Sequence, residues 1–498
     1  LGFALGVEHF DPRVYQPHPP GYFLYICLGK LFHVLIPDVN FALVLLSIAA
    51  SCGAAALIYQ VAHEWFGIEA ARFAGLIFLF SPLAWFHGTV ALTYIVEAFF
   101  SALVGFLCWQ IESGSWRMIL PASLILGISA GIRPSSLVFL GPLFLFSLRR
   151  AGWKRAVIAM ATLLVVLLAW FLPMISASGG YERYFGALLS LWRLVPSRGT
   201  VFNSNPATSI ARAVTIVFIL FLCFGAALFT PLWRGRADLP PEPEKRRFTL
   251  VWIGPALCFF TFIFLKFVNS GYLLVVLAPF SIWLGAWAAG WYTKSTWPRW
   301  WKFAILGAGA AANSLMFLAS PLYCSYRQVR RHEAEMRSVQ ASLPQVAAAG
   351  DTLIVGFDSH FLGYRDAGYY LPGYLSVEYP AVKLMEGTRV FAMEGRQTRL
   401  LTALPAQHYT RFVLFPLPAG EQENREYLQK VLALLPARDL RTLSMGGHEF
   451  ITGPIADLPL LFPAVAREGA AGVSTLRQSP EPPVNSRVHQ PSGPAARR

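Results

Sequence analysis

Glu8-His9-Phe10-Asp11-Pro12-Arg13-Val14-Tyr15-Gln16-Pro17-His18-Pro19-Pro20-Gly21-Tyr22 is a polar, proline-rich stretch standing directly ahead of a long, almost unbroken run of apolar sequence. Carboxylates, imidazoles and a Pro-Pro turn are costly beside lipid unless they line a wet cavity. Their position at the edge of membrane-like sequence therefore marks a boundary at which chemistry is expected.

The rest of the chain fits that boundary. Of 498 residues, 55% are hydrophobic and only 14% are charged. An ordinary soluble domain carries roughly a quarter charged residues, so the chain is a membrane protein with soluble parts attached. The six cysteines, Cys27, Cys52, Cys108, Cys223, Cys258 and Cys324, fall in or beside apolar segments. They form neither a disulfide framework nor a CxxC knuckle, and they read as small buried hydrophobes. The net charge of +14 raises nucleic acid as a partner. The basic residues, however, gather in loops between apolar segments, where anionic lipid is the better partner, so no nucleic acid is expected.

At about twenty apolar residues per crossing, about ten spans are expected: Asn40 to Ala62, Glu69 to Phe86, Ala91 to Trp109, Arg117 to Ile132, Ser135 to Leu148, Ala156 to Ser176, Thr208 to Thr230, Phe248 to Phe267, Gly271 to Tyr292 and Phe303 to Tyr323. The pair on either side of Gly131-Ile132-Arg133-Pro134 is short and reads as a broken helix around a polar cavity. Basic loops at Arg149 to Arg155, Arg234 to Arg247 and Lys294 to Lys302 fall on one side, which the positive-inside rule makes cytoplasmic. The opening loop, the connection from Ala177 to Ala207 and everything beyond Tyr323 are then expected outside.

Beyond Tyr323 the texture turns soluble. A charged helix, Tyr326 to Leu343, precedes strand-like runs at Thr352 to Val355, Arg389 to Met393, Arg411 to Phe415 and His448 to Ile451, with an amphipathic helix at Glu421 to Leu435. The sequence divides into a transmembrane module, residues 1–325, an extracytoplasmic α/β domain, residues 326–465, and a Pro-, Ser-, Gly- and Arg-rich tail, residues 466–498, expected to be disordered.

The stretch Phe3 to Phe10 followed by His18-Pro19-Pro20-Gly21-Tyr22-Phe23 resembles the first extracytoplasmic loop of GT-C glycosyltransferases, in the bacterial branch near the protein O-mannosyltransferases and the lipid A aminoarabinose transferase. The resemblance implies a polytopic α-helical GT-C-like fold with a small C-terminal α/β domain. It implies a glycosyltransferase of the bacterial cytoplasmic (inner) membrane, moving a hexose or pentose. The donor would be a polyprenyl-phosphate-linked sugar, and the acceptor an unidentified lipid, glycan or protein. It also places a first helix and a leading Asp upstream of Leu1, so the sequence is expected to be N-terminally truncated.

Such transfer needs a carboxylate to take the acceptor's proton and cations or hydrogen bonds for the departing phosphate. Glu8 and Asp11 are the candidate catalytic carboxylates; alone, each also reads as a solvated loop charge or helix cap. His18 occupies the position of the family's Lys or His before Pro-Pro, which the resemblance places near the carrier phosphate. Its plain alternative is a turn histidine. Lys266 and Tyr272, in Leu265-Lys266-Phe267-Val268-Asn269-Ser270-Gly271-Tyr272, resemble the family's late Lys and Tyr near that phosphate, against a snorkelling Lys at a helix end. Arg183 is a further cation for the phosphate or else a surface group. Glu97 and Arg133, with Tyr22, are expected in the cavity, Glu97 and Arg133 either as site groups or as a buried structural pair. No Asp-x-Asp pair or ligand cluster suggests a metal. The competing reading is a transporter or flippase of lipid-linked saccharides, which would favour two related halves; none is seen.

Overall fold

The computed structural model describes residues 1–197, 206–225, 227, 242–265, 267–320, 324–357, 362–379, 390–401, 404, 408–416 and 428–462, with only the backbone described at 190–197 and 267–269. The tail, part of the loop Arg234 to Arg247, and residues 421–427 of the expected amphipathic helix lie outside the described residues; the segment 428–432 is helical.

Among the described residues six helices are long and apolar enough to cross a membrane, or seven if one bent pair counts as a span. This corrects the expectation of ten. The expected span Glu69 to Phe86 is two helices, α4 (Ile68–Leu79) and α5 (Pro82–Gly88), bent by 61°. The Ser81-Pro82 dipeptide causes the break. The Ser81 hydroxyl caps α5 by accepting from Ala84 N, and proline at the first helical position lacks the N–H that would continue α4. Three more apolar helices are short: α2 (Phe23–Leu35), α7 (Ile119–Ile132) and α8 (Ser135–Leu148). In place of Phe248 to Phe267 stands α12 (Pro243–Phe262), whose first turns carry Lys245, Arg246 and Arg247.

The bundle is built around α3 (Val39–Phe66), α6 (Tyr94–Glu112) and α13 (Leu277–Lys294), with α9 (Trp153–Ala177), α11 (Pro206–Phe224) and α14 (Arg299–Ala319) at its periphery. α4 and α13 approach closely through small residues. A Cβ on Gly285 would stand 2.5 Å from Ala74 N, so only glycine fits there. The connection expected from Ala177 to Ala207 contains a helix, α10 (Tyr181–Ser197), with one apolar face. Cys108 and Cys223 are buried, whereas Cys27, Cys52 and Cys258 are exposed on apolar helix surfaces, which corrects the reading of all six as buried.

The C-terminal part opens with α15 (Tyr326–Val346) and holds seven strands among the described residues: β1 (Thr352–Gly356), β2 (Ser376–Glu378), β3 (Val390–Glu394), β4 (Gln397–Leu401), β5 (Arg411–Leu414), β6 (Arg441–Met445) and β7 (His448–Pro454). Their order is β4-β3-β2-β1-β5-β7-β6, with β1 parallel to β2 and β5 and the other pairs antiparallel. Two tight hairpins turn at Gly395-Arg396 and Gly446-Gly447, all four residues at positive φ as such turns require. α15 packs Met336, Val339 and Leu343 on one sheet face; Val431, Leu435 and Leu458 cover the other. The sheet therefore has a complete core of its own.

Its β3–β4 edge, with α16 (Tyr364–Tyr370), sits on the opening loop. Leu5 and Val14 share one buried cluster with Tyr364, Phe391 and Met393. The buried Gln16 amide donates to Thr398 Oγ1 at 3.0 Å, and Arg365 lies over the Tyr15 ring. The tip of the β3–β4 hairpin meets α1 (Gly2–Glu8), where Arg396 approaches Glu8 at 3.8 Å. Domain and loop form one packed unit.

Candidate functional site

The break between α7 and α8 places Arg133 beside the first turn of α6, where Glu97 lies. Their side chains are only 5% and 1% exposed and pair at 3.0 Å. Burial of two charges is tolerable only with good geometry and further hydrogen bonds, and both are present. Arg133 donates to Thr93 Oγ1 at 3.0 Å and Ser135 Oγ at 3.1 Å. Ser135 and Ser136 donate in turn to Glu97 Oε1 at 3.0 and 3.1 Å. The guanidinium carbon lies 4.3 Å from the Tyr94 ring centroid and 4.8 Å from that of Tyr272, so two aromatic faces hold the cation. Tyr272 reaches this position from a 3-10 stretch, Phe267–Val276, unusually long for that geometry.

The opening loop faces this cluster. His18 Nε2 and the Tyr22 hydroxyl are hydrogen-bonded at 3.1 Å, and both rings pack on Phe3. Tyr22 lies within electrostatic reach of Arg133, Glu97 and Tyr272. Burial, reinforced by Arg133 and Arg365, lowers the His18 pKa to about 4, so the imidazole is neutral at pH 7. It can therefore offer a phosphate a hydrogen bond but no charge. Tyr15 and Tyr22 hold left-handed backbone with φ of 60° and 48°, a strained choice for aromatic residues that the packed surroundings enforce.

The two loop carboxylates differ. Asp11 is held by Arg13, with Nε to Oδ1 at 2.8 Å and Nη2 to Oδ2 at 2.7 Å, while Arg13 N also donates to Oδ1. Backbone pairing of Asp11 with Gln16 closes the turn between them. Glu8 stands in the looser pair with Arg396. Arg183 is exposed on α10 and lies against Gly179, which Arg13 approaches as well, so it joins the loop surface rather than the Glu97–Arg133 cluster. α10 itself is tied to the loop by Tyr184, whose hydroxyl donates to Pro20 O at 3.1 Å. Lys266 lies outside the described residues. The structure thus brings His18, Tyr22, Glu97, Arg133 and Tyr272 into one region and places Glu8, Asp11 and Arg183 along the loop above it.

Thr93, Tyr94, Ser135 and Ser136 were not singled out in the sequence reading. Two signals pointed to them: Thr93 and Tyr94 stand within four residues of Glu97, and the serines follow the break at Pro134. Among the described residues, no group of three His, Cys, Asp or Glu gathers as a metal site would.

The chain has a GT-C-like fold, a polytopic helical bundle with a sheet domain appended. Residues 13–157 match the family model of the protein O-mannosyl-transferase TMEM260 N-terminal domain. The fold is similar to the crystal structure of ArnT from Cupriavidus metallidurans bound to undecaprenyl phosphate, with a TM-score of 0.54 and 13% identity, covering 86% of this chain and 87% of that one. The apo structure of the same protein aligns with a TM-score of 0.39 at 11% identity, over 88% of this chain and 87% of that one. No curated protein matches the sequence.

Proposed function

We propose that this chain is a membrane glycosyltransferase that moves a hexose or pentose from a polyprenyl-phosphate-linked donor to a lipid, glycan or protein acceptor. The observation that carries this reading is the Glu97–Arg133 pair, fully hydrogen-bonded and flanked by Tyr94 and Tyr272, beneath a strained polar loop at one end of an apolar bundle. The fold likeness and the family match over residues 13–157 support it. The opposite end carries Arg149, Arg150 and Lys245, as the cytoplasmic side of a bacterial inner membrane would, so the loop and sheet domain are assigned to the outside.

In the proposed reaction the acceptor's hydroxyl oxygen bonds to the sugar's anomeric carbon. The bond from that carbon to the phosphate oxygen breaks and its electron pair leaves with the polyprenyl phosphate. The acceptor's proton passes to a loop carboxylate. Glu8 and Asp11 are the proposed acceptors of that proton, and Glu97, with Oε1 engaged by two serines and Oε2 by Arg133, is assigned to holding the cation. Arg133, Tyr272, His18, Lys266 and Arg183 are proposed to receive the phosphate as it approaches and departs, by charge or by hydrogen bond. Tyr22 keeps His18 oriented.

The test is transfer by purified full-length protein supplied with a pool of polyprenyl-phosphate sugars. Labelled product is expected. Absence of transfer with every carrier-linked sugar, together with movement of the donor across a vesicle membrane, would establish the transporter reading instead.

A further inference from the structure

His87 stands apart from the assignments above. It is 3% exposed, near the end of α5, and neither ring nitrogen has a hydrogen-bond partner. Buried polar side chains are nearly always satisfied, so an imidazole with both nitrogens unmatched calls for a reason. Its surroundings supply one. The ring packs edge-on against Tyr94 at 5.0 Å between centroids, and Tyr94 in turn lies over Arg133. A Cβ on Gly271 would stand 2.6 Å from His87 Cε1 and 2.5 Å from Tyr94 Cδ2, so the bare backbone beside Tyr272 is what lets the imidazole in.

Resting on the function proposed above, we infer that His87 is a substrate-binding residue, one ring N–H donating to an oxygen of the carrier phosphate beside Arg133. Glu97 already shares the Arg133 charge, and an unengaged donor next to the pair adds a hydrogen bond that Arg133 alone does not supply.

The experiment titrates undecaprenyl phosphate against the full chain in detergent and follows the rise in melting temperature. Wild type is expected to be stabilised. His87→Phe removes only unmatched polar atoms, so without ligand it should melt at the wild-type temperature or above. It should, however, need at least about tenfold more undecaprenyl phosphate for the same rise, the loss expected for one hydrogen bond to a charged group. His87→Asn, which keeps an N–H donor, should recover part of that loss. Equal requirements for wild type and His87→Phe overturn the inference. Failure of both His87→Phe and His87→Leu to fold also overturns it, because the imidazole would then be a structural group. If wild type itself is not stabilised, the carrier-lipid reading fails, a result distinct from either.

Discussion

Arg133 and Arg149 bracket α8, and each pairs with a carboxylate of α6: Arg133 with Glu97 at one end, Arg149 with Glu112 at the other. α6 and α8 therefore run parallel and are pinned at both ends across a helix about 28 Å long by the usual rise per residue. The two pins are unlike. Glu112 and Arg149 stand at the basic end, with Arg150 bridging Glu112 to Glu244, whereas Glu97 and Arg133 are sealed among aromatic rings.

Arg133→Met should leave Glu97 buried and uncompensated, at a cost of about 3 to 5 kcal/mol. The double variant Glu97→Gln, Arg133→Met should recover much of that stability while remaining inactive in transfer. Melting temperatures and transfer rates measured together check this. Recovery of activity in the double variant would make the pair purely structural.

Acid should loosen the opening loop through His18. Its ordinary pKa of about 6.5 applies when unfolded, against about 4 when folded. Below pH 6.5 the unfolded chain takes up a proton that the folded chain refuses, so stability present at neutral pH is lost as pH falls toward 4. Melting temperature should drop between pH 7 and 5 in wild type and drop less in His18→Asn. Identical pH slopes would refute a neutral His18.

Docking of the sheet domain on the loop should depend on Gln16 and Tyr15. Gln16→Ala leaves the Thr398 hydroxyl without its partner and Tyr15→Ala empties the space beside Phe391. Each should raise hydrogen exchange in residues 390–401 while leaving the β5–β7 pairing protected. Uniform exchange across the whole sheet would show instead that the domain itself had been destabilised.

Between the loop carboxylates, Asp11→Asn and Glu8→Gln separate proton transfer from scaffolding. The proton acceptor's variant should lose transfer by about 100-fold or more with donor binding retained. Comparable activity in both variants would remove the two from the reaction. Lys266→Ala should slow transfer by roughly 30-fold to 1000-fold if it meets the leaving phosphate. Unchanged turnover at matched expression would leave it a snorkelling lysine.

The parts legible in the sequence were those with a local cost. Glu97 and Arg133 announced themselves because a charge in apolar sequence needs a partner, and Pro134 marked the break that carries Arg133. Ser81-Pro82 carries the same kind of signal but lies within an apolar run, so α4 and α5 read as one span. β2, β4 and β6 were missed because β2 is only three residues long and β4 and β6 are largely exposed, giving little apolar alternation. His87, between Phe86 and Gly88, looks like part of an aromatic segment until its nitrogens are found without partners. The contact of Gln16 with Thr398 spans most of the chain, and no local pattern encodes it.

That last contact also sets an order of manufacture. The loop from Glu8 to Tyr22 leaves the ribosome among the first residues of this sequence, while Phe391, Arg396 and Thr398 follow only after every helix of the bundle has been made. Until then Leu5, Val14 and Gln16 lack the cover that Phe391, Met393 and Thr398 give them, and the left-handed turn at Tyr15 lacks its contact with Phe391. The opening loop is therefore completed only after the bundle beneath it, and a chain stopped short of β3 would carry that loop without its cover.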